Sequence, residues 1–159
     1  MMKISHQILF VIFSIFIFLL SSFVWYLILY QAISFFTGLI IISFFIFLAF
    51  WQNFLAFRRA GELMALKNKK QIFVVSVIFT LGLAELMWSI SFMPFSFFIL
   101  GGILSVIFAV TLDIFKEYFK KPEASDLKIK KIIIRDIITG VILITIFIFI
   151  SPWLPIRAS

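Results

Sequence analysis

Apolar residues in this chain do not alternate with polar ones; they run on. Five stretches, 8–30, 33–57, 71–92, 95–118 and 127–150, contain nearly uncharged runs of 19 to 25 residues. At about 1.5 Å per helical residue, a run of that length crosses the ~30 Å hydrocarbon layer of a bilayer. Membrane strands would instead show as segments of ~10 alternating residues, and an open sheet in lipid would leave its edges unsatisfied. The pattern predicts an all-α polytopic membrane protein, a single transmembrane domain of five helices over residues 1–159.

The connections sort these helices. Gln31 and Ala32 leave almost no loop between the first two runs, and Met93 and Pro94 mark a similar break between the third and fourth. Pro122 halts the extension of the fourth helix, because a proline and the residue before it both resist helix. Ser125 or Asp126 can cap the fifth. Two tight helical hairpins plus a fifth helix result. Lys3 and His6 ahead of the first run resemble the start of a signal peptide, but the run outlasts an h-region of ~7 to 15 residues and no small-x-small site follows it, so it is expected to remain as the first helix.

Charge lies between the runs. Residues 58–70, RRAGELMALKNKK, carry five bases against Glu62, and residues 116–131 carry six lysines against Glu117, Glu123 and Asp126. With Lys3 these make twelve of the fourteen bases, leaving Arg135 just inside the boundary and Arg157 alone beyond the last run. Under the positive-inside rule both loops and the amino terminus face the cytoplasm and the carboxyl terminus faces outward, in the cytoplasmic membrane of a bacterium. Trp25, Tyr26 and Tyr30 are expected in an interfacial belt. So are Trp51, Gln52 and Asn53, with Arg58 and Arg59 at the headgroups.

Composition narrows the class further. With 64% hydrophobic and 13% charged residues, the chain excludes a water-soluble domain. The net charge of +7 does not point to nucleic acid, since the loops already account for it. No cysteine is present, which removes disulfides, thiol catalysis and thiolate metal sites. His6 is the only histidine, so no Ser-His-Asp set can be built, and no HExxH, GxSxG, P-loop or GxGxxG pattern occurs. No catalytic residue, metal set or cofactor motif is expected. The nearest cluster for an enzyme acting on lipid is Trp51, Gln52 and Asn53 with Arg58 and Arg59, which anchoring explains as well.

One acid stands inside a run. Glu85 lies about 13 Å below Pro94 and about 21 Å from Gln71, at ~1.5 Å per residue. An ionised group at the bilayer centre costs roughly 2.5 to 3.5 kcal/mol on the lenient insertion scale, so the neutral acid, a hydrogen-bond donor, is the expected form. Trp88 and Ser89 share its helix face, as does Gly82. On the fourth run, Gly101, Ser105 and Ala109, beside Gly102, form a small-residue stripe that permits close helix approach. The third and fourth helices are therefore expected to pack along Gly82, Glu85 and Ser89 against Gly101 and Ser105, turning the acid toward protein. Two readings of that site follow: a polar clamp between helices, or a proton- or cation-responsive site in a transporter or channel component. A second polar pair, Asp113 with Arg135, is expected to bridge the inner ends of the fourth and fifth helices. Asp136, adjacent to Arg135, is expected to point elsewhere.

Residues 85–103, ELMWSISFMPFSFFILGGI, carry an acid, a tryptophan three residues on, then an aromatic and a proline before a glycine-containing helix. This pattern resembles that of small polytopic bacterial membrane proteins of uncharacterised activity. The resemblance implies a polytopic fold and transfers no site residue. With 24 phenylalanines supplying packing surface, the leading expectation is a structural or accessory membrane subunit. Its expected partners are the lipid bilayer and either a second copy or another membrane protein.

Overall fold

The computed structural model describes residues 2–59, 61, 68–119 and 126–150, with side chains except at 2–7, 9, 126–129 and 150. Among the described residues there is no strand. The five helices are α1 (Met2–Leu29), α2 (Phe35–Arg59), α3 (Lys69–Ser91), α4 (Phe97–Tyr118) and α5 (Asp126–Ile150). Each is long and apolar enough to cross a membrane; in α1 the apolar span is Phe10–Leu29 and in α5 Lys130–Phe149. Residues 60, 62–67 and 120–125 of the basic loops, the capping Ser125 among them, and the tail with Arg157 lie outside the described residues.

Local chemistry ends and restarts the helices. Gln31 adopts a left-handed φ of 58°. Its N–H donates to the Ile28 carbonyl at 3.0 Å and the Ala32 N–H reaches the Leu27 carbonyl at 2.9 Å. This pair of bonds is a Schellman motif, which satisfies the carbonyls left over at the end of α1 and reverses the chain at once. Ser34 then caps α2, its Oγ accepting from the Thr37 N–H at 3.2 Å. At the start of α3, the Asn68 N–H donates to the Gln71 side chain at 3.2 Å, one half of a capping box.

α4 is the centre of the bundle. It packs closely on α1 along one side and on α5 along another, while α2 joins α1 and α3 joins α2; α3 meets α4 only lightly. The core between α1, α2, α3 and α4 is largely aromatic and branched: Phe50, Phe54, Phe57, Phe108, Ile42, Ile72 and Met87 are fully or almost fully buried. Ring contacts tie the two ends of the bundle. Tyr26 near the end of α1 meets Phe97 at the start of α4 with centroids 5.4 Å apart. At the opposite end the Lys116 ammonium lies 4.9 Å from the Phe57 ring, bringing the basic end of α2 to the basic end of α4.

Two expected interfacial anchors are core residues instead. Trp25 is 2% exposed and Asn53 fully buried, whereas Tyr26 and Tyr30 face outward. The asparagine amide is half satisfied within its own helix: Nδ2 donates to the Ala49 carbonyl at 2.8 Å, while Oδ1 is buried with no hydrogen-bond partner. The Trp51–Asn53 headgroup cluster is thereby broken up.

Candidate functional site

The small-residue stripe of α4 does permit close approach, but its partner is α1. A methyl group built at Gly101 would lie 2.7 Å from the backbone nitrogen of Ser22, so only glycine fits. Ser21 Oγ donates to the Gly101 carbonyl at 3.3 Å, and Ser105 Oγ donates to the Ser14 carbonyl at 2.9 Å. The serines of α1 complement the stripe, and they are the signal that sequence reasoning passed over. Gly102 faces α5, where a methyl group would press on the Phe147 ring at 3.0 Å.

Gly82, Glu85, Trp88 and Ser89 do not join this contact. The buried side of α3 carries Ile72, Ser76, Thr80, Leu83, Met87 and Ile90, spaced by three and four residues as one helical face. The expected residues occupy the opposite face. Glu85 and Ser89 are exposed, Trp88 is 59% exposed, and nothing lies within 4 Å of a methyl group built at Gly82. Ser89 Oγ donates to the Glu85 backbone carbonyl at 3.0 Å, leaving the Glu85 carboxylate without a partner among the described residues. The Cα–Cβ bonds of a helix tilt toward its N-terminus. The Glu85 side chain therefore leans away from the nearer helix end at Ser91, which is about 9 Å off along the axis.

The acids that the structure does bring together are Asp113 and Asp136. Both line a cavity of about 330 Å³ on α4, between α1 and α5, together with Ser14, Ser105, Ala109 and Thr139. Arg135 Nη2 is 3.9 Å from Asp113, so that expected contact is long. Its close partner is Asp136: Nε and Nη2 both reach Oδ1, at 2.8 and 2.7 Å. The expectation that Asp136 points away from Arg135 is thus corrected. Adjacent helical side chains diverge, yet the long guanidinium arm can fold back, and a carboxylate whose side chain is only 9% exposed needs the charge. Asp136 Oδ2 remains buried with no hydrogen-bond partner.

A second cavity, of about 200 Å³, shares Ser14 and Ser105 with the first and extends to Phe18 and Phe147. Those two rings, with centroids 6.2 Å apart, mark its far end. Among the described residues no group of three or more metal-ligating side chains forms. Comparison of the chain with protein families, with curated proteins and with solved structures finds no match.

Proposed function

We propose that the chain is a small structural or accessory subunit of the bacterial cytoplasmic membrane, inserted with its amino terminus inside, and that it acts by packing against a second copy through the outward face of α3. The observation that carries this reading is Glu85, unpartnered on an exposed helix face that is apolar apart from it and Ser89. Left against lipid, an ionised carboxylate costs roughly 2.5 to 3.5 kcal/mol or more. A protonated carboxyl is at once donor and acceptor, so two of them across a two-fold axis satisfy each other without any basic residue. That arrangement suits this chain, which offers no lysine or arginine at that depth. Gly82, one turn away with open space above it, lets the two backbones approach closely.

The absence of cysteine makes the test clean. Ser89→Cys is expected to form a disulfide-linked dimer when vesicles are oxidised. Adding Glu85→Gln, which keeps both donor and acceptor, should preserve the dimer. Adding Glu85→Leu should lower its yield by about fivefold or more, the worth of a hydrogen bond between membrane helices of ~1 to 2 kcal/mol. Equal crosslinking of the leucine variant, or none at Ser89→Cys, removes the assembly reading. Cation or proton flux into liposomes that Glu85→Gln abolishes would move the assignment to transport.

A further inference from the structure

We propose that the cleft between α1, α4 and α5 is a binding site for an organic cation, an ammonium group carried on an apolar body. The inference stands on the cavity and its lining and does not depend on assembly through α3.

The lining is selective in what it offers. Its charged members are Asp113 and Asp136, and no basic residue lines it. Its hydroxyls have already given their hydrogens to backbone carbonyls. Ser14 Oγ donates to Phe10, Ser105 Oγ to Ser14, and Thr139 Oγ1 to Arg135, at 3.0, 2.9 and 2.9 Å. Each therefore turns only lone pairs toward a ligand. Carboxylates likewise only accept. A neutral acceptor or an anion would find no donor along this wall, whereas an ammonium finds several acceptors. Asp136 adds the second observation: its side chain is nine-tenths buried on the cavity wall, Arg135 occupies Oδ1, and Oδ2 has no partner. A buried carboxylate oxygen left so is costly, and a charged donor relieves it once a turn of the Asp136 side chain brings Oδ2 to the cavity. The acid already open on the wall is Asp113, its side chain 40% exposed.

The surrounding charges do not reverse this sign. Arg135 Nη2 lies 2.7 Å from Asp136 and 3.9 Å from Asp113, with its side chain 65% exposed, so one guanidinium stands against two carboxylates and the group keeps a net negative charge. Lys116, which lies over Phe57, and Glu117 both follow Asp113 by about one turn of α4 and add one charge of each sign, leaving the balance set by the two cavity acids and Arg135.

Size and wall chemistry distinguish an organic cation from a metal ion. A volume of about 330 Å³ falls in the range of small-molecule pockets. Calcium would require six to eight oxygen ligands, and most of the wall is aliphatic or aromatic, including Phe10, Val106, Val110 and Leu143. The adjoining space toward Phe18 and Phe147 gives an apolar body room to extend.

The probe is phenethylammonium, with 2-phenylethanol as the neutral isostere and 3-phenylpropanoate as the anionic control. Binding is measured calorimetrically on the purified chain in phosphatidylglycerol nanodiscs, which contain no amine, with empty discs as blank. The ammonium should bind at least about tenfold more tightly than the alcohol, the difference one charge-assisted hydrogen bond makes. Asp136→Asn should lose about the same factor. Ala109→Leu, which narrows the cavity without touching charge, should weaken binding as well. Repeating the titration in discs containing phosphatidylethanolamine separates two sources of the ammonium. Weaker apparent binding there assigns the site to a lipid headgroup, and unchanged binding to a free amine. The proposal is overturned if alcohol and ammonium bind alike, or if sodium or calcium binds where phenethylammonium does not. It is also overturned if Asp136→Asn, with unchanged helicity and size, binds as the parent chain does. Should Asp136→Asn not fold, parental affinity in both Asp113→Asn and Ala109→Leu overturns it equally.

Discussion

At the scale of single residues, the least comfortable backbone position is Gln31. A side chain with φ of 58° costs roughly 1 kcal/mol or more relative to glycine, because its Cβ crowds the following carbonyl. The position is held by the Schellman bonds of Gln31 and Ala32, and it allows α1 to turn into α2 within a few residues. Gln31→Gly is therefore expected to stabilise the chain by about 1 kcal/mol, and Gln31→Val to destabilise it by more than that. Unfolding in mixed micelles under increasing sodium dodecyl sulfate would read both. A glycine variant no more stable than the parent would mean that the turn carries no strain. The same scale explains why Asp136 was not legible in the sequence. Its position beside Arg135 argued against a contact, since helical neighbours diverge. Its burial on the flank of α4 reverses that, because a carboxylate shut away from water draws in whichever cation can reach it.

At the scale of helices, length was easy to read from sequence and facing was not. Apolar runs bounded by Gln31, Arg58, Lys69, Pro94 and Lys130 mark five helices, since charge and turn chemistry stop a membrane helix as plainly as in water. The inward face of α3 could not be chosen that way. A soluble helix betrays its buried side by the polar residues opposite, but both sides of α3 are apolar: Ile72, Leu83 and Met87 inward, Ile78, Leu81 and Trp88 outward. Glu85 marks its own face as the inward one on the rule that acids in membranes face protein, and the structure turns that face outward. The true close contact, α1 on α4, was written in small residues, Ser14, Ser21 and Ser22 opposite Gly101 and Ser105. This yields a paired expectation. Gly101→Leu should destabilise the fold by about 1 to 3 kcal/mol or more, since the backbone of Ser22 cannot move aside. Gly82→Leu, facing open space, should leave monomer unfolding within about 0.5 kcal/mol of the parent. Equal losses in the same micelle assay would show that α3, and not α1, is the tight neighbour of α4.

At the scale of the whole molecule, the placement of charge and the placement of helices make the same demand. Two helices long and apolar enough to cross a membrane, α3 and α4, separate the basic segment after Arg59 from the one after Tyr118, and two crossings would return a chain to the side it left. The contacts agree with that parity: Lys116 on Phe57 joins the ends of α2 and α4, while Tyr26 on Phe97 joins the end of α1 to the start of α4 at the other pole. The cleft with Asp113 and Asp136 lies nearer the basic pole, because Asp113 is about 8 Å before the end of α4 at ~1.5 Å per residue. If the positive-inside rule sets the orientation, an amine would enter the cleft from the cytoplasm or the inner leaflet. Single cysteines decide this directly in a chain that has none. Gly61→Cys and Lys130→Cys should react with an impermeant maleimide in inside-out vesicles and stay protected in intact spheroplasts, while Gln31→Cys and Phe92→Cys should do the reverse. Reaction of Gly61→Cys and Lys130→Cys from opposite sides would break the five-span topology. Reaction of both from outside would invert it and open the cleft toward the exterior.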